Sequence, residues 1–281
     1  MKNTSISLEK SEVDSLAIGA FDGMHLGHQA LFKRLGKKGA VLIIDKNSAV
    51  LTPGNYRCEY VDHPCFFYNL DEIKDLDAKS FVKKLKDDFK SLGKIVVGYD
   101  FAFGKDRKYS IDDLKRYFDG EVVVVDEVKI DSISVHSRVI KKFIKDGNIK
   151  MANRLLGHTF KIVGEVIKGK GLGKKLLYPT VNLKAEKFII PKEGVYATIT
   201  DVNGFYEPSV TFIGKSKTLG GDFSIETHII KKDIGEAKGE VTILFFDRIR
   251  DNKKFENIED LKKQIRKDIE IALEIVKEHT I

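Results

Sequence analysis

The sequence predicts an α/β unit built on a parallel sheet, followed by a small antiparallel β-barrel with a terminal helix. Three observations support this. Short apolar runs alternate with amphipathic stretches through the first half of the 281 residues, as in a parallel sheet covered by helices on both faces. From 159 to 247 the pattern changes to short β-rich runs punctuated by Gly, Pro, Asn and Asp, which suits a small barrel. The last stretch returns to helical spacing.

The elements follow in order. Residues 14–20 (DSLAIGA) are short and apolar and read as a buried strand. Residues 26–35 place Leu26, Ala30, Leu31 and Leu35 at helical spacing. AVLII (40–44), KIVVGYD (94–100) and EVVVVDEV (121–128) are further strands, and SFVKKLKDDF (80–89) and SIDDLKRYF are helices between them. SRVIKKFIKDGNIKMANRLLG, ending at Gly157, reads as two short helices broken at Gly147. FKIVGEVI, GVYATIT, EPSVTFIG, SIETHII and EVTILFF are the barrel strands. In the final helix Ile258, Leu261, Ile265, Ile269, Ala272 and Val276 share one face. Two domains are expected, 1–157 and 158–281.

With 42% hydrophobic and 32% charged residues the composition is globular. No apolar run approaches the roughly 18 residues of a membrane span, and MKNTSISLEKSEVDS lacks the apolar core of a signal peptide. A soluble cytoplasmic protein is expected. The net charge of +7 raises the question of nucleic acid. Lys and Arg exceed Asp and Glu by 27 to 23 up to Gly157 and by 22 to 19 beyond it. So even an excess has no basic stripe or tail, and neither a nucleic-acid nor a membrane partner is expected. Cys58, His63 and Cys65 are too few for a structural zinc site; the cysteines read as reduced, structural thiols.

GAFDGMHLGH joins the first strand to the first helix, the place where open parallel sheets bind ligands. Gly23 and Gly27 permit close backbone approach. His25 and His28 stand three positions apart at the helix start, on one face. Two imidazoles beside a helix N-terminus can donate to phosphate oxygens and stabilise charge at an α-phosphate. The segment resembles the signature of the HxGH nucleotidylyltransferases, specifically the FAD synthetase domain of bacterial bifunctional riboflavin kinase/FAD synthetases. That resemblance implies a Rossmann-like nucleotidylyltransferase sheet. It also implies catalytic roles for His25 and His28 and ATP contacts at Gly19, Phe21, Asp22, Gly23 and Gly27. VVGYDFAFGKDR (96–107) is similar to the family's VGxDFxFGxxR segment. The family's second motif, ISSTxxR, reads here ISVHSRVIK (133–141). Counted from Gly157, Ser137 takes a motif serine position and Lys141 the arginine position, both as ATP contacts, and His136 stands in as a donor. IIDKNSAVLTPG lacks the family's PHP-containing segment.

The run Gly164–Gly171 mimics a P-loop, but no Ser or Thr follows the lysine and the setting is β-rich. The longer segment GEVIKGKGLGKKLLYPTVNL resembles the riboflavin kinase signature instead. The resemblance implies that Thr180 and Asn182 bind Mg²⁺ and ATP phosphate. It implies further ATP contacts from Gly169, Lys170, Gly171 and Lys174. Glu226, in the E-x-H strand, becomes the general base for the ribityl hydroxyl. Arg250, in DRIRDNKKF, is expected on the flavin. FIGKSKTLGG (212–221) lacks the family's Arg-Pro pair. Covering almost the whole chain, the resemblance implies phosphorylation of riboflavin to FMN and adenylylation of FMN to FAD, with ATP as co-substrate and Mg²⁺ as cofactor. A kinase with a degenerate adenylyltransferase domain and a non-catalytic flavin-sensing module are the alternatives.

Overall fold

The computed structural model describes residues 8–168, 178–215, 218, 222–230 and 237–279. The chain packs as two compact units, Met1–Ser137 and Arg138–Ile281.

The first unit contains β1 (Ser15–Gly19), α1 (Leu26–Phe32), β2 (Gly39–Asp45), β3 (Cys65–Asn69), α2 (Leu70–Ile73), α3 (Ala78–Asp88), β4 (Lys94–Gly98), α4 (Ile111–Tyr117) and β5 (Glu121–Val125). The strands form a parallel sheet of order β3-β2-β1-β4-β5. Alternate residues bury on opposite faces. Leu16, Ile18, Leu42, Ile95 and Val97 join Phe81, Val82 and Leu85 of α3 and Leu114 of α4. Ala17, Val41, Ile43 and Val96 join Leu31 and Phe32 of α1. This two-faced core is why the strands read as continuous apolar runs. The strand order reverses between β1 and β4, so their carboxyl ends form the crevice where such sheets bind ligands.

Two features were not anticipated. β3 is an edge strand whose CFFYN alternates weakly, with Phe67 37% exposed. The hairpin of β6 (Lys129–Ile130) and β7 (Ile133–Ser134) turns on Asp131 and Ser132 at φ 49° and 65°. At two residues per strand it leaves no periodicity to read.

In the second compact unit, α5 (Ser137–Asp146, entered from the last residue of the first unit) and α6 (Ile149–Leu156) precede the barrel. Gly147 (φ 83°) breaks the helices as expected. The first domain expected from sequence ends at Gly157, after this helix pair; by contacts the pair groups with the barrel. Asn153 explains the grouping: its Nδ2 donates to Phe245 O and its Oδ1 accepts the Phe160 N–H, both at 2.8 Å. β8 (Phe160–Ile167), β9 (Val181–Lys184), β10 (Gly194–Val202), β11 (Phe205–Lys215), β12 (Phe223–Ile229) and β13 (Glu240–Arg250) close an antiparallel barrel of order β10-β11-β12-β9-β8-β13. α7 (Ile258–His279) packs Ala272 and Val276 against it.

Inside the barrel Thr198, Thr200, Ser209, Thr211 and Thr227 are fully buried. Their hydroxyls close a ring: Thr198–Ser209 2.7 Å, Ser209–Thr200 2.7 Å, Thr200–Thr227 3.0 Å, Thr227–Thr211 3.0 Å and Thr211–Thr198 2.9 Å. Each hydroxyl can donate to one neighbour and accept from the other, which offsets the cost of burying it. Thr227→Val keeps the shape and leaves Thr200 and Thr211 each short of a partner. It is expected to cost about 1–3 kcal/mol, read from denaturant unfolding.

Candidate active sites

The first candidate site lies at the carboxyl ends of β1 and β4. Gly19 ends β1, and the chain then turns sharply. Phe21 (φ 53°), Gly23 (φ 95°) and Met24 (φ 44°) all occupy left-handed backbone. Glycine does so freely, but Phe21 and Met24 need other contacts to hold them there. Asp22 supplies several. Its Oδ1 accepts the N–H groups of Val50, Leu51 and Thr52 at 3.1, 2.8 and 3.1 Å. Thr52 Oγ1 accepts the Gly23 N–H at 2.8 Å, and Ser137 Oγ donates to the Asp22 carbonyl at 2.6 Å. The Asp22 carboxylate, expected to touch ATP, thus organises a neighbouring loop.

His25 caps α1. Its Nδ1 accepts the His28 N–H at 3.3 Å, so the neutral ring carries its proton on Nε2. The two imidazoles stack with centroids 3.5 Å apart, and the Phe21 ring meets His28 edge-on at 5.1 Å. Burial, followed by the neighbouring His25 and His136, holds the His28 pKa well below 6.5. His28 is therefore a neutral imidazole at pH 7. Its Nδ1 is buried and makes no hydrogen bond among the described residues, an arrangement that asks for a functional explanation. A Cβ on Gly27 would lie 3.2 Å from the His25 ring and 3.3 Å from Val135 O, so only glycine leaves this approach relaxed.

His136 flanks the site. Its Nε2 lies 3.1 Å from Tyr99 Oη and 3.5 Å from Glu127 Oε1, and Tyr99 donates to that carboxylate at 3.3 Å. Hydrogen bonds from Ser134 and Lys129 hold the Glu127 pKa down at about 2. The first unit thus gathers Gly19, Phe21, Asp22, Gly23, His25, Gly27, His28 and Ser137 around one turn. Lys141 lies on α5 in the second unit.

The second candidate site is on the barrel. Asn182 of β9 and Glu226 of β12 are direct register partners. Along β12 Ile225, Thr227 and Ile229 point inward, so Ser224, Glu226 and His228 face outward. Ser224 Oγ donates to Glu226 Oε1 at 2.7 Å. Thr180 immediately precedes β9, and His228 Nδ1 lies 2.9 Å from the carbonyl of neighbouring Pro179. Gly169, Lys170, Gly171 and Lys174 lie outside the described residues, as do Gly220 and Gly221 of the altered flavin-side loop.

Arg250, expected on the flavin, bonds to a side chain and a backbone carbonyl of its own unit. Its Nε and Nη2 grip Asp268 of α7 at 2.8–3.0 Å, and Nη1 donates to Asp251 O at 3.0 Å. Asp268 is 1% exposed and also accepts from Gln264 at 2.9 Å. Asp268→Ala would leave a largely buried guanidinium without its anion. The expected loss is about 3–5 kcal/mol, measured by thermal or urea unfolding.

Residues 156–276 match the riboflavin kinase family model (Flavokinase), and residues 7–53 and 56–139 match the FAD synthetase model. A bifunctional riboflavin kinase/FMN adenylyltransferase of Listeria monocytogenes serovar 1/2a is 32% identical, over 90% of this chain and 89% of its own length. The chain belongs to the bifunctional riboflavin kinase/FMN adenylyltransferase family. Riboflavin kinase/FMN adenylyltransferases of Pseudomonas fluorescens and Escherichia coli K12 are 28% and 27% identical, covering 91% and 90% of this chain and 90% of each relative. A crystal structure of a Streptococcus pneumoniae protein described as a macrolide-efflux protein is similar with TM-score 0.81 and 27% identity, over 94% of this chain and 97% of that one. Among the described residues no helix is long and apolar enough to cross a membrane.

For a member of the riboflavin kinase/FMN adenylyltransferase family, the motif residues were readable in advance. Thr52, Arg57, Tyr99 and Glu127 were not. Thr52 and Arg57 act on the motif turn from 29 and 37 residues away, and no local pattern signals that. Tyr99 occupies the variable position of VGxDFxFG. Glu127 is one acidic residue among many until the fold brings it to His136.

Proposed function

We infer that the protein phosphorylates riboflavin to FMN at the barrel site and adenylylates FMN to FAD at the sheet site. Two pairs of motif residues, one in each unit, support this reading. Asn182 pairs with Glu226 in one, and His25 stacks on His28 in the other.

In the kinase reaction the terminal ribityl hydroxyl attacks the γ-phosphorus of ATP. Glu226 accepts the hydroxyl proton, the bond to the β-phosphate oxygen breaks, and ADP leaves. Ser224 holds Glu226 Oε1 at 2.7 Å, which fixes the carboxylate for this role. Thr180 and Asn182 bind the phosphates. A hydroxyl, an amide oxygen and a carboxylate on one face are the hard donors that Mg²⁺ takes, and Thr180 and Asn182 would hold it. When bound, Mg²⁺ neutralises polyphosphate charge. Arg250 seats α7, and no flavin contact is assigned to it.

In the second reaction a phosphate oxygen of FMN attacks the α-phosphorus, the bond to the β-phosphate oxygen breaks, and pyrophosphate leaves. The phosphate is already ionised, so no base is required. His25 and His28 donate to the α-phosphoryl oxygens as charge builds there. α1 has only seven residues, which shifts weight from the helix dipole to these imidazoles. Lys141, in the family's arginine position, keeps the positive charge suited to a triphosphate but lacks a bidentate fork. Reliance on ATP in both reactions supports a cytoplasmic enzyme.

Riboflavin, ATP and Mg²⁺ incubated with the protein should yield FMN first and then FAD. FMN that accumulates without FAD would leave only the kinase; neither product would overturn the reading.

A further inference from the structure

Arg57 takes no part in these steps, yet its guanidinium is 1% exposed. Burying such a charge is costly unless good geometry repays it. Here three partners converge on it. Nε donates to Gly54 O at 3.0 Å, Nη1 donates to Ala20 O at 2.9 Å, and Nη2 lies 3.0 Å from Asp45 Oδ1 at the end of β2. The guanidinium also lies 5.6 Å from the centre of the Phe67 ring. The Ala20 carbonyl belongs to the peptide leading into Phe21, the first left-handed residue of the turn. The Phe21 ring in turn lies edge-on against His28 and Phe32, each at 5.1 Å.

We propose that Arg57 is a positioning residue for adenylyl transfer: by pinning the Ala20–Phe21 peptide to the end of β2, it sets the seat of the His28 imidazole. The physical chain runs from guanidinium to carbonyl, from the strained turn to the Phe21 ring, and from that ring to His28. Arg57 touches no reacting atom. Its role requires a planar fork that donates to two carbonyls while its charge pairs with the Asp45 carboxylate, which a lysine ammonium cannot reproduce. Misplacing a reacting group by about 1 Å can cost about 10²-fold in rate, so a modest shift in the turn would be felt in kcat.

The proposal rests on the adenylyltransferase reading, and the test separates the two. Arg57→Lys and Arg57→Ala would be prepared in the full chain with isotope-labelled histidine. FMN adenylylation would be followed for kcat and for the KM of ATP. The riboflavin kinase rate would serve as a control for folding, and the His28 ring signal would be recorded by NMR. The expected result for Arg57→Lys is a kcat for FAD formation down about 10²-fold, with the KM for ATP and the kinase rate nearly unchanged. The His28 signal should move as the Phe21 ring shifts. Added guanidinium should restore part of the kcat of Arg57→Ala. Wild-type kcat with an unmoved His28 signal would overturn the proposal. So would a rise in KM alone, which would make Arg57 a support for nucleotide binding only. If the wild type made no FAD, the functional reading would fall. An unmoved His28 signal in Arg57→Lys would still reject the positioning role by itself.

Discussion

Glu226→Gln is expected to lower FMN formation from riboflavin by about 10²–10⁴-fold, the usual contribution of a general base, while supplied FMN is still converted to FAD at the wild-type rate. The substitution preserves shape and leaves an amide oxygen to accept the Ser224 hydroxyl, now at Glu226 Oε1. It removes the basic carboxylate oxygen. The register pairing with Asn182 is a main-chain property and survives the change, so the phosphate-binding side chains should stay in place. Product separation with riboflavin and then with FMN as substrate provides the check. Equal loss of both reactions in a folded protein would refute the division of labour.

His28→Ala should give the opposite result: FAD formation down about 10²–10³-fold, as for loss of one donor to developing charge, with FMN formation intact. The variant also carries a signature in stability. Folded His28 takes up a proton only well below pH 6.5, whereas the unfolded chain does so near 6.5. Between those values the unfolded state holds more protons, so stability falls as pH drops through that window. Removing the imidazole should flatten this part of the stability curve, as measured by unfolding at a series of pH values. A neutral His28 should also leave no inflection near 6.5 in the rate profile for FAD formation.

The two-layer pattern of the first unit could be read from sequence because the central strands are buried on both faces, which makes a strand such as AVLII uniformly apolar. The barrel strands were bounded by their turn residues. β3 escaped because its five residues, CFFYN, show neither a continuous buried run nor clear alternation. The packing of α6 with the barrel could not be read from local spacing, because the anchoring by Asn153 is a long-range contact to Phe245. The motif histidines and Glu226 were recognisable by resemblance. What the resemblance did not convey was Asp22 holding the 50–52 amides and Arg250 committed to Asp268. In both cases a charged side chain in a motif also has a partner in the scaffold, which only the fold reveals.

The closed circuit of hydroxyls inside the barrel bears on the kinase directly. Thr227, one of its members, is the neighbour of Glu226 in sequence, and its ring partners sit on β10 and β11. Sliding β12 by one position would turn Glu226 toward the interior and break two links of the circuit at once. The hydroxyls therefore act as a ratchet against slippage, so that the barrel interior determines which way the proposed base faces.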